Sequence, residues 1–433
     1  MALPIPWLLA EEKRKPNVIL ILSDDHGYSE IGLQGCKEVA TPNIDSIAKN
    51  GVRFTNGYVS CPVCSPTRAG LMTGRYQQRF GHEDNPGPIP VASPNFGLPL
   101  SEKTMADYMK AEGYATGMVG KWHLGHRPEH HPQKRGFDEF FGFLTGAHSY
   151  TKPGVGTLEP ILRGTKEMDE KEYLTDAFGR EAVSFIDRHK SKPFFLYLAF
   201  NAVHAPMEAP DRYKDTFNHF QIPAKRAYAA MLKAMDEAVG RVLSQVRSAG
   251  LEDNTLIVFL GDNGGYRVAG MTPNAPLNGF KGDTYEGGVR VPFMMQWKGK
   301  LQAGKVYEKP VISLDVLPTV VTVAGGKPGA NVEGVNLLRY LTVKNSKSPH
   351  DKLFWRWVGK SGARVGDWKL VQNGDGAQKL FNLTDDIGEK NDLAAANPAK
   401  LKELQAAYKA WDAKNIPPKW LDGRRAKAGV KAE

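Results

Sequence analysis

The stretch NVILILSDDHG, residues 17–27, decides the fold class of this protein. From Asn17 to Ser23 it runs almost without a break through β-branched and aliphatic residues. Such runs are typical of strands buried on both faces, and these strands belong to parallel sheets that helices cover. Asp24 and Asp25 follow where the strand ends. The stretch therefore predicts an α/β protein with carboxylates at one edge of its sheet.

The same pattern occurs twice more along the chain. The run FFLYLAF ends in Asn201 and His204, and the run TLIVFL ends in Asp262 and Asn263. In open α/β sheets, ligands bind just beyond the carboxyl ends of the strands. Three strands that each end in a polar cluster therefore predict one shared site.

Helices are predicted in the intervals between these strands. Pro42 opens one helix at 42–49, and apolar residues recur at helical spacing through 224–249. After about residue 324 the chain changes to a glycine- and proline-rich loop, short strands around 353–358 and 368–371, and a terminal helix at 398–414. This change in pattern indicates a second folded unit.

We expect two domains and a short N-terminal segment. A large central mixed, mostly parallel sheet sandwiched by helices should form the catalytic domain at 16–330, with a smaller C-terminal α+β subdomain at 331–433. Residues 1–15 are interpreted as an N-terminal arm or a signal-peptide remnant, because their apolar stretch ALPIPWLLA lacks the usual basic start. This interpretation favours a periplasmic or secreted protein.

The composition is that of a globular protein. Of 433 residues, 41% are hydrophobic and 24% are charged, which excludes a disordered chain. No apolar run is long enough to span a membrane. The net charge of +10 is spread along the chain and not striped with aromatics, so nucleic-acid binding is not favoured. A basic surface suits a polyanionic substrate, although it also serves solubility alone.

The three cysteines are too few for a disulfide scaffold. Cys61 and Cys64 form a CxxC pair, which is found in redox motifs and in zinc sites. Zinc needs a second pair of ligands, and Cys36 is the only cysteine left. A thioredoxin-like motif belongs to a much smaller domain. The CxxC interpretation is therefore the weaker one.

The segment CSPTRAGLMTGR, residues 64–75, resembles the signature of the type I sulfatase family in the alkaline phosphatase superfamily. It matches the signature at every defining position, and the resemblance extends over nearly the whole chain. The resemblance implies an alkaline-phosphatase-like fold and hydrolysis of sulfate esters. It also implies that a separate maturation enzyme oxidises Cys64 to Cα-formylglycine, whose hydrated aldehyde supplies the attacking oxygen.

Two strand ends supply candidate metal ligands. Asp24, Asp25, Asp262 and Asn263 offer hard oxygen atoms, and an oxygen from residue 64 would complete a set suited to Ca²⁺, with Mg²⁺ as the alternative. One departure from the family pattern concerns the first of these segments. The family often has an aspartate where this chain has Glu30, which puts only the packing of the local loop in doubt.

The resemblance also implies the catalytic side chains. In GKWHLG, residues 120–125, Lys121 would bridge the nucleophile and the sulfate, and His123 would accept a proton when the aldehyde is regenerated. His204 would protonate the leaving oxygen. Lys281 would bind a sulfate oxygen, and Arg68 would orient the hydrated aldehyde.

Sugar contacts are expected near the signature. The polar segment 79–86 looks like the corresponding stretch of bacterial sulfatases that act on galactose-type sugars, so a sulfated carbohydrate is the expected substrate. Sugar hydroxyls are usually bound by polar side chains of this kind. The candidates are His82, Asp84, Asn85 and His148. An ordinary role in loops and core is equally open for them.

Two other functions stay open at this point. A phosphate or phosphonate monoester hydrolase on the same fold would need similar metal and cationic groups. A non-catalytic glycan-binding protein would keep the cleft but leave Cys64 unmatured. The cysteine signature favours sulfate ester hydrolysis over both.

Overall fold

The computed structural model describes residues 14–343, 347–374 and 376–422. The predicted N-terminal arm or signal-peptide remnant lies almost entirely outside these residues. Sixteen strands are described, namely β1 (Asn17–Ser23), β2 (Val52–Phe54), β3 (Gly57–Tyr58), β4 (Ala115–Lys121), β5 (Glu139–Phe143), β6 (Leu162–Arg163), β7 (Lys166–Glu167), β8 (Phe194–Ala199), β9 (Thr255–Gly261), β10 (Phe293–Gln296), β11 (Lys305–Tyr307), β12 (Val311–Ile312), β13 (Lys352–Trp357), β14 (Lys360–Val365), β15 (Trp368–Gln372) and β16 (Lys379–Asn382).

Ten α-helices are described in the same residues. They are α1 (Pro42–Lys49), α2 (Cys64–Thr73), α3 (Met105–Ala111), α4 (Leu174–His189), α5 (Asp211–Lys214), α6 (Pro223–Ser248), α7 (Glu286–Val289), α8 (Val316–Val323), α9 (Leu338–Leu341) and α10 (Pro398–Asp412). No helix in this part of the chain has the length and apolar character needed to cross a bilayer. The helices predicted from Pro42 and across 224–249 correspond to α1 and α6.

A ten-stranded sheet forms the centre of the molecule, in the order β11-β2-β10-β9-β1-β8-β4-β5-β6-β7. The strand read first from the sequence, β1, lies between β8 and β9 and is parallel to both. Strands β4 and β5 continue the parallel part, whereas β10 runs antiparallel to β9 and to β2. The predicted mixed, mostly parallel sheet is confirmed.

Helices cover both faces of this sheet, which explains why β1 is apolar throughout. Ile19 and Ile21 belong to one buried cluster, together with residues of α1, α4 and α6. Val18, Leu20 and Leu22 belong to a second cluster, with residues of α2, α3 and α8. Because successive side chains of a strand point to opposite faces, a strand between two helical layers needs apolar residues at every position.

A second, antiparallel sheet of β13, β14, β15 and β16 follows, and α10 packs against β14 and β15. The predicted smaller α+β unit is therefore present. Two of its strands, β14 and β16, were missed because their sequences KSGARV and KLFN show no extended apolar pattern. The domain boundary at 330/331 stays a prediction.

A buried ion pair joins the second sheet to α7. Lys369 on β15 and Glu286 at the start of α7 are fully buried, with Nζ 2.6 Å from Oε1. Tyr58 donates its hydroxyl to the other oxygen of the carboxylate at 2.6 Å. Burial raises the pKa of Glu286, but Lys369 and Arg290 outweigh this effect and lower the pKa to about 2. Glu286 therefore stays ionised and depends on its cationic neighbours.

Replacing Lys369 by methionine should lower the free energy of unfolding by about 3–5 kcal/mol, because the buried carboxylate of Glu286 loses its ammonium partner. Urea unfolding should show the loss as a lower midpoint. Lys379→Met is the matched control, since Lys379 is exposed on β16, and it should leave the midpoint almost unchanged. Similar midpoints for the two variants would contradict a stabilising role for the pair.

Candidate active site

Cys64 is the first residue of α2 and is buried, with 1% of its surface exposed. The helix begins just after the extended residue Val63. The amide oxygen of Asn85 accepts a hydrogen bond from the backbone N–H of Ser65 at 3.0 Å, which satisfies one of the free donors at the helix start. The signature residue is therefore held at the N-terminus of a buried helix.

The ends of β1 and β8 and the start of α2 bring four candidate ligands together. One ligand atom from each of Asp24, Asp25, Cys64 and His204 lies within 4.8 Å of the others. The Oδ1 atoms of Asp24 and Asn263 are buried and have no hydrogen-bond partner among the described residues. Buried oxygens without donors are suited to a hard divalent cation. The residues present thus fit an oxygen-ligated Ca²⁺ or Mg²⁺.

Asp262 is held by two other groups in this arrangement. Its Oδ2 accepts hydrogen bonds from Nε and Nη2 of Arg68 at 3.0 and 2.8 Å, and its Oδ1 accepts one from the backbone N–H of Asp25 at 3.1 Å. Burial and the nearby Asp24 raise the pKa of Asp262 to about 7, against the effect of Arg68. A further positive charge would therefore be stabilised among these carboxylates.

Three cations surround the three carboxylates. Lys121, at the end of β4, places Nζ 2.5 Å from Oδ2 of Asp24, and both side chains are fully buried. Lys281 places Nζ 2.7 Å from Oδ1 of Asp25. Burial raises the pKa of Asp24, but Lys121 and its other cationic neighbours outweigh this and hold the pKa well below its usual range. The predicted Arg68, Lys121 and Lys281 are all brought to one place.

The two candidate proton-transfer residues lie in different surroundings. His204 is partly exposed, its Nδ1 lies 2.7 Å from the carbonyl oxygen of Ala205, and its Nε2 faces Oδ2 of Asp25 at 3.7 Å. His123 is buried, and burial together with Lys121 lowers its pKa well below the usual value. His123 is therefore neutral and able to accept a proton.

The predicted sugar-binding residues lie near this cluster but bond to the protein. His82 is buried and its Nε2 is 2.7 Å from Oγ of Ser65. Asp84 is buried and accepts a hydrogen bond from the indole N–H of Trp357 at 3.2 Å. His148 is buried, with Nδ1 2.5 Å from the carbonyl oxygen of Ser149. With Asn85 bonded to the start of α2, contact between any of these four residues and a sugar stays a prediction.

The structure gives no support to the CxxC interpretation. Cys61 and Cys64 are both free thiols. Burial raises the pKa of Cys64 to about 12 and that of Cys61 well above its usual value. A redox pair needs a thiolate, and thus a lowered pKa.

One contributor to the surroundings of the site was not found from the sequence. Trp420 is buried and packs against His82. It lies in a short segment after α10 that carries no motif and no periodicity. Its role depends on a contact between residues far apart in the chain, which a single sequence does not reveal.

Comparisons with known proteins agree with this geometry. The family model described as Sulfatase matches residues 16–326, and the one described as N-sulphoglucosamine sulphohydrolase, C-terminal, matches residues 281–410. An uncharacterized sulfatase, YdeN of Escherichia coli strain K12, is 32% identical over 94% of this chain and 87% of its own length. The N-acetylgalactosamine-6-sulfatase of Mus musculus is 34% identical over 76% of this chain and 67% of its own length.

Among solved structures, Ps i-CgsB in complex with k-i-k-neocarrahexaose is similar to this chain. It has a TM-score of 0.89 and 37% sequence identity, and the match covers 96% of this chain and 98% of that one. The fold and the clustered charges define a hydrolase of anionic esters. The chain belongs to the sulfatase family, and it is an enzyme that hydrolyses sulfate esters.

Replacing Asp24 by alanine should abolish metal binding, because it removes a carboxylate from a small set of hard ligands. Elemental analysis should find about one calcium or magnesium per wild-type chain and none in the Asp24→Ala variant. Adding the ion should raise the thermal midpoint of the wild type but not that of Asp24→Ala. Asp236→Asn is the control, since that buried carboxylate caps α1 by accepting from Ile44 N–H at 2.8 Å, away from the site. Stoichiometric zinc in the wild type would contradict the ligand assignment.

Proposed function

We infer that this protein removes sulfate from a sulfated carbohydrate, using Cys64 matured to formylglycine and a bound Ca²⁺ or Mg²⁺. The observation that carries this proposal is the position of Cys64. Its thiol lies at the start of α2, among three carboxylates that follow sheet strands and three cations from β4, α2 and the loop before α7. A sulfate ester requires an oxygen nucleophile, neutralisation of its anionic oxygens and a proton for the leaving group.

Asp24, Asp25, Asp262 and Asn263 would hold the cation, which would neutralise negative charge on the ester, and formylglycine at position 64 would supply the attacking oxygen. The cationic side chains of the protein neutralise the remaining negative charge of the ester. Arg68 and Lys121 are fully buried and belong to the floor of the site, whereas the side chains of Lys281 and His204 are 18% and 20% exposed. The ester therefore approaches past Lys281 and His204, and Lys281 binds a sulfate oxygen.

The two histidines divide the proton transfers. His204, near the entrance, donates a proton to the leaving oxygen from Nε2, because its Nδ1 is directed at the carbonyl of Ala205. Burial and Lys281 lower the pKa of His204, and an anionic ester beside the ring opposes this shift. The buried, neutral His123 accepts a proton when residue 64 is restored.

A carbohydrate is the proposed substrate class on three grounds. The similar structure Ps i-CgsB was solved with k-i-k-neocarrahexaose, and the murine relative is an N-acetylgalactosamine-6-sulfatase. The net charge of +10 attracts a polyanionic glycan. A formylglycine-generating maturation enzyme is the required partner. Export to the periplasm or the medium stays a prediction that depends on residues 2–10.

Replacing Cys64 by alanine should abolish sulfatase turnover while leaving the thermal midpoint close to that of the wild type, because residue 64 supplies the attacking oxygen. Cys61→Ala, the matched control, should keep substantial activity. Mass spectrometry of the wild-type peptide, from a host that has the maturation enzyme, should find residue 64 about 18 Da lighter than cysteine. If Cys61 proved essential and Cys64 dispensable, the result would contradict this proposal and favour the CxxC interpretation.

The role of His204 is tested by changing the leaving group. General acid catalysis is worth about 10²–10⁴ in rate, and a sugar alkoxide needs it far more than a nitrophenolate. His204→Ala should therefore lose about that factor on a sugar sulfate and much less on nitrophenyl sulfate. Equal losses on both substrates would contradict the assignment. Faster turnover of nitrophenyl phosphate than of nitrophenyl sulfate by the wild type would favour the phosphate ester alternative.

A further inference from the structure

A short segment after α10 pairs with the chain near the active site. The N–H of Ile416 donates to the carbonyl oxygen of Gln78 at 3.1 Å, and the N–H of Lys419 donates to that of Gly81 at 2.9 Å. We name residues 415–422 the C-terminal strap. The strap begins after residue 410, where the match to the second family model ends. It therefore lies outside the residues that the two family models match.

Trp420 anchors the strap. Its indole N–H donates to the carbonyl oxygen of Asp84 at 3.0 Å, and the N–H of Asp422 donates to Oδ2 of Asp84 at 3.0 Å. The indole ring is 3% exposed and packs edge-on against two other rings. The ring centroids are 4.6 Å from His82 and 5.4 Å from Phe96. His82 is thus held in a fixed orientation by an aromatic cluster.

From His82, hydrogen bonds lead directly to the catalytic residues. Nε2 of His82 is 2.7 Å from Oγ of Ser65, and Oγ donates to the carbonyl oxygen of His123 at 2.7 Å. A carbonyl oxygen only accepts, so the single hydroxyl proton of Ser65 is used there. His82 must therefore donate to Ser65 through its Nε2–H. Ser65 is the neighbour of Cys64, and the chain of bonds connects residues 64 and 123.

The backbone of His123 needs such a restraint. Its φ is +58°, in the left-handed region, which a non-glycine residue adopts at a cost in backbone energy. The N–H of His123 donates to the carbonyl oxygen of Leu144 at 3.1 Å, and its own carbonyl receives the Ser65 hydroxyl. Ser65 thus holds one side of a strained catalytic residue.

We propose that His82 and Trp420 are positioning residues for sulfate ester hydrolysis. Trp420 orients the imidazole of His82, His82 fixes the hydroxyl of Ser65, and Ser65 places both the first turn of α2 and the backbone of His123. The proposal rests on the proposed function, in which residue 64 and His123 act on the ester. In this proposal the C-terminal strap affects the catalytic rate through His82 and does not contact the substrate.

The first test separates positioning from stability. His82→Ala should lower kcat for nitrophenyl sulfate about 10- to 100-fold per matured chain, because small displacements of reacting groups cost rates of this size. KM should change little, since Lys281 is not bonded to His82. His82→Gln should restore most of kcat, because its amide N–H can donate to Ser65 as the imidazole does.

The second test measures coupling. Ser65→Ala should lower kcat by a similar factor, and the double variant with His82→Ala should be no slower than either single variant, because both interrupt one path. Trp420→Ala should lower kcat in the same way, and Trp420→Phe should keep most of it. Trp297→Ala is the control, since this buried tryptophan follows β10, whose last residue pairs with Ile257 near the start of β9 and not with the end that carries Asp262; it should lower the thermal midpoint without changing kcat.

The outcomes distinguish this proposal from the proposed function. Full kcat in His82→Ala, in an active and matured enzyme, would overturn the positioning role and leave the sulfatase mechanism standing. Multiplicative losses in the double variant, or no rescue by glutamine, would also overturn it. A wild type that is matured at Cys64 but inactive on every sulfate ester would overturn the proposed function, and the positioning role with it.

Discussion

The need to pair buried charges governs this structure. Asp24, Asp25 and Asp262 meet at the carboxyl ends of parallel strands, in a region with almost no exposure to water. Isolated charges at such depth are prohibitively costly, so each carboxylate faces a cation. Lys121 and Arg68 come from β4 and α2, two elements on different parts of the fold. The sheet order, the helix start at residue 64 and the loop to Lys281 together bring these groups into contact.

Charged side chains of the second sheet also pair with residues near the active site. Lys360 on β14 donates to the carbonyl oxygen of Gly282 at 2.6 Å and pairs with Asp283 at 3.0 Å, directly after Lys281. Arg356 on β13 binds Glu83 through two nitrogens, in the segment that contains His82. These bidentate and charge-assisted bonds hold loops beside the central sheet from the second sheet. The active site is therefore a product of both sheets.

Sequence reasoning succeeded where local patterns and chemistry coincide. The apolar runs identified β1, β8 and β9 because strands buried on both faces need apolar residues at nearly every position. The motif residues at 64, 121, 204 and 281 were predicted because each belongs to a short, distinctive segment, and the structure brings them together, while their roles stay predictions. The strands β14 and β16 were not predicted because they lie in a small sheet whose strands have a mixed polar and apolar composition. Trp420 escaped because its importance arises from a contact with His82, distant in the chain.

The order of strands in the central sheet has a consequence for biosynthesis. Among the described strands β1 is synthesised first, yet it is central in the sheet, and its two neighbours are residues 194–199 and 255–261. Synthesis proceeds at roughly 5–20 residues per second, so many seconds pass between the synthesis of β1 and that of its neighbour β9. During that interval the signature segment has no finished domain around it, although it is fully enclosed afterwards. The strand order thus leaves an interval during synthesis before Cys64 is buried, and completion of the sheet ends it.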